Sequence, residues 1–228
     1  LGGTTVATQL GTIRALLMAE DGPAIGSPLS AAFQSAAEGQ MILIVKVTHA
    51  DIMARLISLK LQVEEAKRSK MRMVFEGASE AHLLAAEIAK ADIGVIVAPS
   101  RPFPYSSEDS RCLPGVPLTN DTLVSTLWRA GVTTAIGTRN DLPMPISASF
   151  TTRWELANLI ADTTVNLSSL DVLAMATTNL EKLYGLSDKP DIARWLEKDF
   201  VAYHGGGMMS FGGSKVVAFS TPGGVAVL

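Results

Sequence analysis

The feature that most constrains this chain is an alternation that runs from residue 41 to residue 137. Four short apolar runs, 41–47 (MILIVKV), 71–76 (MRMVFE), 93–98 (IGVIVA) and 132–137 (VTTAIG), are rich in β-branched residues. They do not alternate cleanly between apolar and polar, so they read as strands covered on both faces, the pattern of a parallel sheet. Helix-period segments separate them. Residues 51–69 set Ile52, Leu56, Leu59 and Val63 on one stripe behind Asp51 as N-cap. Residues 79–91 repeat this with Leu83, Leu84 and Ile88, and Ser79 is the expected cap. Residues 121–130 carry Leu123, Val124 and Leu127 and stop at Gly131, a C-terminal helix signal. The series β-α-β-α-β-α-β predicts right-handed crossovers, hence a doubly wound sheet or a barrel.

Helical patterns at 5–19 and 27–39, split by a Gly/Pro turn, precede the series. Three more follow at 151–163, 170–178 and 180–184. The tail then changes period: 199–203, 215–220 and 224–228 read as short strands joined by Gly-rich turns. The Pro-rich stretch 99–117 reads as a long loop after the third strand, a length usually kept for function.

Composition narrows the function classes. The 228 residues suffice for a substantial core. A net charge of −3, from 19 basic and 22 acidic residues, carries no basic excess, so no nucleic-acid partner is expected. Apolar residues at 47% and a mean hydropathy of +0.27 are too high for a disordered chain and greasy for a free-standing one. No apolar run reaches the roughly 18–20 residues of a membrane span. The single cysteine, Cys112, excludes an internal disulfide and a Cys-based zinc site. Leu1 opens the chain without an initiator Met or a signal pattern, so the expectation is a cut or processed chain. Two glycosylation triplets, at Asn120 and Asn166, lean weakly toward the secretory pathway; localisation is otherwise unassigned.

Several segments carry a likeness to a known family. GGTTVATQLGTIRALL, THADIMARLISLK and EGASEAHLLAAEIAKADIGVIVAPSRPFP come first, then LPGVPLTNDTLVSTLWRAGVTTAIGT, ATTNLEKLYGL and the tail with DFVAYHGG and SKVVAFSTPGG. In this order and spacing the chain resembles the C-terminal half of the fungal, imidazolonepropionase-related branch of the amidohydrolase superfamily. The resemblance implies the second half of a (β/α)8 TIM-like barrel, strands five to eight, plus part of a small β domain. Residues 1–187 would form the half-barrel and 188–228 the β segment. It also implies metal-assisted hydrolysis of C–N bonds, with a divalent metal activating water at the strand ends.

Carried over residue by residue, that metal site fails. The family's first two histidines belong to the half that this chain lacks. The expected histidine of strand five falls on Lys46, that of strand six on Gly77, and the aspartate of strand eight on Arg139. Arg and Gly are not ligands and Lys is a poor one, so no metal residue and no cofactor is predicted. Zinc enters only if an N-terminal half supplies the remaining ligands. Lys46, Thr48, His49 and Arg139 are the candidate substrate-binding residues, and no catalytic residue is assigned. Lys46 and Arg139 either replace the metal's charge, pairing with acidic residues such as Glu76 or with an anionic ligand, or escape to solvent or make ordinary ion pairs. His49 is a displaced ligand, a proton carrier or a plain strand-end residue; His82 reads as a packed or surface helix residue, and His204 has no partner signal. Gly77-Ala-Ser-Glu-Ala is close to a nucleophile elbow but lacks the second glycine, so Ser79 reads as a cap. The Gly-rich stretch near 207–215 lacks the Lys placement and the following helix of a phosphate loop.

Two functions stay open: a catalytically degenerate amidohydrolase-like binding or structural subunit, and a hydrolase of C–N bonds completed by another chain. Four parallel strands alone leave two unpaired edges, which predicts a partner. That partner is a second chain carrying the N-terminal half, or another copy of this chain.

Overall fold

Every one of the four apolar runs forms a strand in the computed structural model, which describes residues 5–19, 26–101, 111–138, 145–162, 165–186, 188–189, 199–210 and 213–228. They are β1 (Ile42–Val47), β2 (Arg72–Gly77), β3 (Ile93–Val97) and β4 (Thr134–Ile136), all parallel and ordered β1-β2-β3-β4. The register stacks Val45, Phe75, Val95 and Thr134 side by side, and next to them Lys46, Glu76, Ile96 and Ala135. All five residues of β3 are buried, as a near-continuous apolar run predicts for an inner parallel strand. On β1, an edge of this sheet, only Val47 is buried.

The two helices before the strands start where side chains can satisfy orphan backbone donors. Thr5 caps α1 (Val6–Met18) by accepting from the Thr8 amide, and Ser27 caps α2 (Pro28–Ala37), whose proline takes the first position. Helix α3 (Ala50–Lys67) buries Met53, Leu56, Ile57, Leu59 and Val63. Its N-cap is His49, which makes no side-chain cap bond, and not Asp51. Asp51 instead sits in the first turn, where its charge suits the positive helix end. Lys60 is 2% exposed; its ammonium meets Glu64 at 2.6 Å, and Glu64 in turn accepts from the Met71 amide at 2.9 Å.

The segment after β2 departs most from expectation. It begins as a 3-10 turn (Ala81–Leu84) and becomes helix α4 only over Ala85–Lys90. Three residues per turn rotate side chains away from the 3.6-residue stripe, so Ile88 is buried while Leu83 is 48% exposed. Helix α5 (Leu123–Arg129) starts two residues later than expected because Thr122 and Ser125 form a reciprocal capping box. Gly131, at φ +78°, ends it in the left-handed conformation that glycine tolerates.

Contacts divide the chain into two compact units, Leu1–Gly137 and Thr138–Leu228. The second unit holds α6 (Pro145–Ala161), α7 (Ser169–Ala176) and α8 (Thr178–Leu183). It also holds an antiparallel sheet β5-β6-β7 made of Val201–His204, Lys215–Thr221 and Gly224–Val227. No residue of these three strands is buried. Asn120 and Asn166 are both exposed, but Thr122 and Ser168, the hydroxyl residues of their triplets, are the N-caps of α5 and α7. Capping alone therefore accounts for a hydroxyl at each place. Among the described residues no helix is long and apolar enough to cross a membrane.

Candidate functional site

Parallel α/β sheets gather their chemistry at the carboxyl ends of the strands, because the βα connections converge there. Here the connection after β2 is clipped to the end of β1. The Ala78 amide donates to the Val47 carbonyl at 2.7 Å and the Glu80 amide to the Thr48 carbonyl at 3.2 Å. The turn that allows this is tight, with Gly77 at φ +87° and Ala78 at φ +45°.

At this place Glu80 is fully buried and accepts three hydrogen bonds. Arg111, from the loop after β3, donates its Nε to Oε1 at 3.0 Å and an Nη2 hydrogen to Oε2 at 2.6 Å. The Ala50 amide, at the first position of α3, donates to Oε2 at 2.8 Å. Burial pushes the carboxyl's pKa up, but the Arg111 bonds, the Ala50 amide and the positive charges of Arg111 and His49 outweigh it. Glu80 therefore titrates below the ordinary carboxylate range. Arg111 is held more firmly protonated by the Glu80 bond and charge, with Asp51 adding at 3.6 Å. The connections after β1, β2 and β3 thus meet in one charge-balanced cluster. A carboxylate so fully bonded is a poor base, and its evident work is to hold these connections together.

His82 lies one turn on. Burial lowers its pKa; the Ser79 carbonyl and Glu80 pull the other way, and Arg111 adds to the lowering. Its Nδ1 and the Ser79 hydroxyl are both buried with no hydrogen-bond partner. Ser79 therefore does not cap a helix as the sequence suggested. The helical segment begins too late for its hydroxyl to reach an N-terminal amide, with Glu80 in the cap position and no side-chain cap bond.

Three of the four candidate binding residues come together. Lys46 is exposed on β1, beside Glu76 in register, and Thr48 and His49 follow half-buried. All three line a cleft of about 300 Å³ closed by Leu10 and Ile13 of α1 and by Ile52 and Leu56 of α3. Arg139 lies outside the described residues. Gly77, where the family likeness would put a histidine, brings no donor to the end of β2. Among the described residues no three His, Cys, Asp or Glu side chains are placed to share a metal ion. Glu80 and Arg111 were missed in the sequence because 31 positions and a Pro-rich loop separate them. Two signals were available: a glutamate right behind a strand-end glycine turn, and an arginine inside a long loop.

No protein-family profile matches the chain. Over 119 residues it is 31% identical to a protein named amidohydrolase tasK from Hapsidospora irregularis, a match that spans 45% of this chain and 12% of that protein. In fold it is similar to the crystal structure of an amidohydrolase from Thermotoga maritima MSB8, with a TM-score of 0.67 at 17% identity. That likeness covers 95% of this chain and 55% of the other. The chain is thus similar to amidohydrolases in sequence over part of its length and in fold over nearly all of it.

Proposed function

We propose that the chain is the second half of an amidohydrolase-like barrel, strands five to eight with part of a small β domain, acting as a binding or structural subunit with a degenerate metal site. One observation carries the reading. At the carboxyl ends of β1 and β2, Lys46 and Gly77 stand where the family likeness calls for histidines, and the buried carboxylate nearby, Glu80, is committed to Arg111. A metal needs about three protein donors here, and the described residues do not supply them. The half-exposed edge strand β1 supports a partner that covers it. That partner is the N-terminal half or another copy of this chain.

The second reading, a metal-dependent hydrolase of C–N bonds completed by such a partner, draws on the 31% identity to a protein named an amidohydrolase. In it, zinc bound mainly by the partner would activate water, and Lys46, Thr48, His49 and Arg139 would contact substrate. Metal analysis of native protein purified without chelators separates the two. The degenerate reading expects substoichiometric zinc, and one zinc per chain would overturn it. Intact mass of every co-purifying chain then identifies the partner.

A further inference from the structure

Helices α1 and α3 enclose a groove of about 310 Å³ whose walls follow helical spacing. Leu10, Gly11 and Arg14 line it from α1, and Arg55, Ser58 and Gln62 from α3. Residues three and four apart stand on one helix face, so each helix offers a single stripe. The two helices run the same way. Arg14 donates an Nη1 hydrogen to Gln62 Oε1 at 2.8 Å, 48 positions on. Toward the far ends of both helices, Gln34 of α2 joins the Leu16 carbonyl to the Lys67 ammonium, accepting from the latter at 3.1 Å. The offset of the Arg14–Gln62 pair sets Ala7 opposite Arg55, so Arg14 stands at one end of the groove and Arg55 at the other.

The charge of this groove has one sign. No acidic side chain lines it, and among the described residues Arg55 has no carboxylate partner. Asp51, one turn before Arg55, pairs with Arg111 instead, at 3.6 Å. Arg14 is oriented by Gln62, whose Nε2 donates to the Ser58 hydroxyl at 3.2 Å. Between the two cations lie Leu10 and Leu59, and a methyl group on Gly11 would meet nothing within 4 Å. Seven helical residues rise about 10 Å, which sets the spacing of the two charged ends. The groove's volume is near the lower end of small-molecule sites, roughly 300–1,000 Å³.

We propose that this groove binds a linear small molecule with an anionic group at each end, a dicarboxylate of about six carbons. Arg14 and Arg55 each donate to one carboxylate, the planar acceptor that a guanidinium matches best. The methylene spine lies along Leu10 and Leu59, in the space that Gly11 leaves open. A hydrogen bond of roughly 3 Å at each end brings such a chain to the span of the groove. This site shares only Leu10 with the cleft of Lys46, Thr48 and His49, and it holds under either reading of the function.

Calorimetric titration of the whole chain with adipate at low salt tests this, with hexanoate as the singly charged molecule of equal length. Adipate is expected to bind about tenfold more tightly, the gain of one further charge-assisted hydrogen-bonded end. Arg14→Gln and Arg55→Gln should each reduce adipate to the hexanoate level, and Arg55→Lys should retain most of the binding. Lys90→Gln removes the same charge from α4, outside the groove, and should leave adipate binding unchanged. Equal affinity for the two acids, binding of neither, or an equal loss in Lys90→Gln would overturn the proposal.

Discussion

The two sheets of this molecule solve the same problem differently. In the first unit β3 is buried at every position and Phe75 of β2 is fully buried, so the inner strands of the parallel sheet are core. In the second unit the strands β5, β6 and β7 bury no residue, and Val225, Val227 and Leu228 are 60%, 79% and 77% exposed. A three-stranded sheet needs one covered apolar face to be stable by itself. The contrast teaches that the chain's slightly greasy composition is unevenly placed: it is core in one sheet and uncovered surface in the other.

The largest expected difference is in the cores. Truncating Phe75 to Ala should cost about 3–5 kcal/mol, the range for a fully buried aromatic. The same change at half-buried Phe219 of β6 should cost about 1 kcal/mol, by the loss of a partly buried side chain. Equal losses in denaturant unfolding of the two variants would remove the contrast.

Next comes the cluster that only the first unit has. Glu80→Gln should destabilise by about 1–3 kcal/mol, because Arg111 loses the charge it is bonded to. The pH dependence carries the sign. The folded pKa of Glu80 lies below its ordinary 4.5, so its contribution is complete above 4.5 and is lost as pH falls through the lower folded value. The folded pKa of His82 also lies below its ordinary 6.5, so the unfolded chain takes up a proton first. Stability should therefore begin to fall on acidification below 6.5 and fall again below 4.5. Asp121, held low by Arg129, and Asp171, held low by Ser168, contribute in the same acid range but are unchanged in the Glu80→Gln variant. Glu80→Gln should flatten only the lower limb; an unchanged profile would mean that the cluster stores no charge-dependent stability.

The smallest expected effect tests whether the units differ in their helices as they do in their sheets. Thr122→Ala at the start of α5 and Ser168→Ala at the start of α7 each remove a capping box, and each should cost about 1 kcal/mol. Similar losses in thermal unfolding confine the contrast to the sheets; a Ser168→Ala loss near zero extends it to the whole second unit.

Elements were legible in the sequence where local physics decides them. β-branched runs became strands, and Gly131 ended its helix, because each depends on residues within a turn or two; the caps Thr5, Ser27, Thr122 and Ser168 are equally local but were not read. The failures share a cause. Asp51 and Ser79 are good caps by type, but the backbone begins its helix at Ala50 in one case and tightens into a 3-10 turn in the other. The candidate site was legible to the extent that Lys46, Thr48 and His49 are consecutive or nearly so. The Glu80–Arg111 bond was not, since it exists only once three connections have met in space.

Arg153 of α6 donates to the carbonyls of Met208 and Ser210, the latter at 2.7 Å, and to the Ser214 hydroxyl at 3.1 Å. Gly206 in the same stretch sits at φ +149°, and a Cβ there would meet Ser210 at 2.8 Å. A Gly-rich stretch is thus moored at three points, and at Gly206 it has no room for a methyl group. For protein engineering this inverts the usual choice: the glycine turn is the wrong place to splice in a tag or a reporter. A wider lesson follows for annotating such chains, since glycine content by itself says nothing about slack.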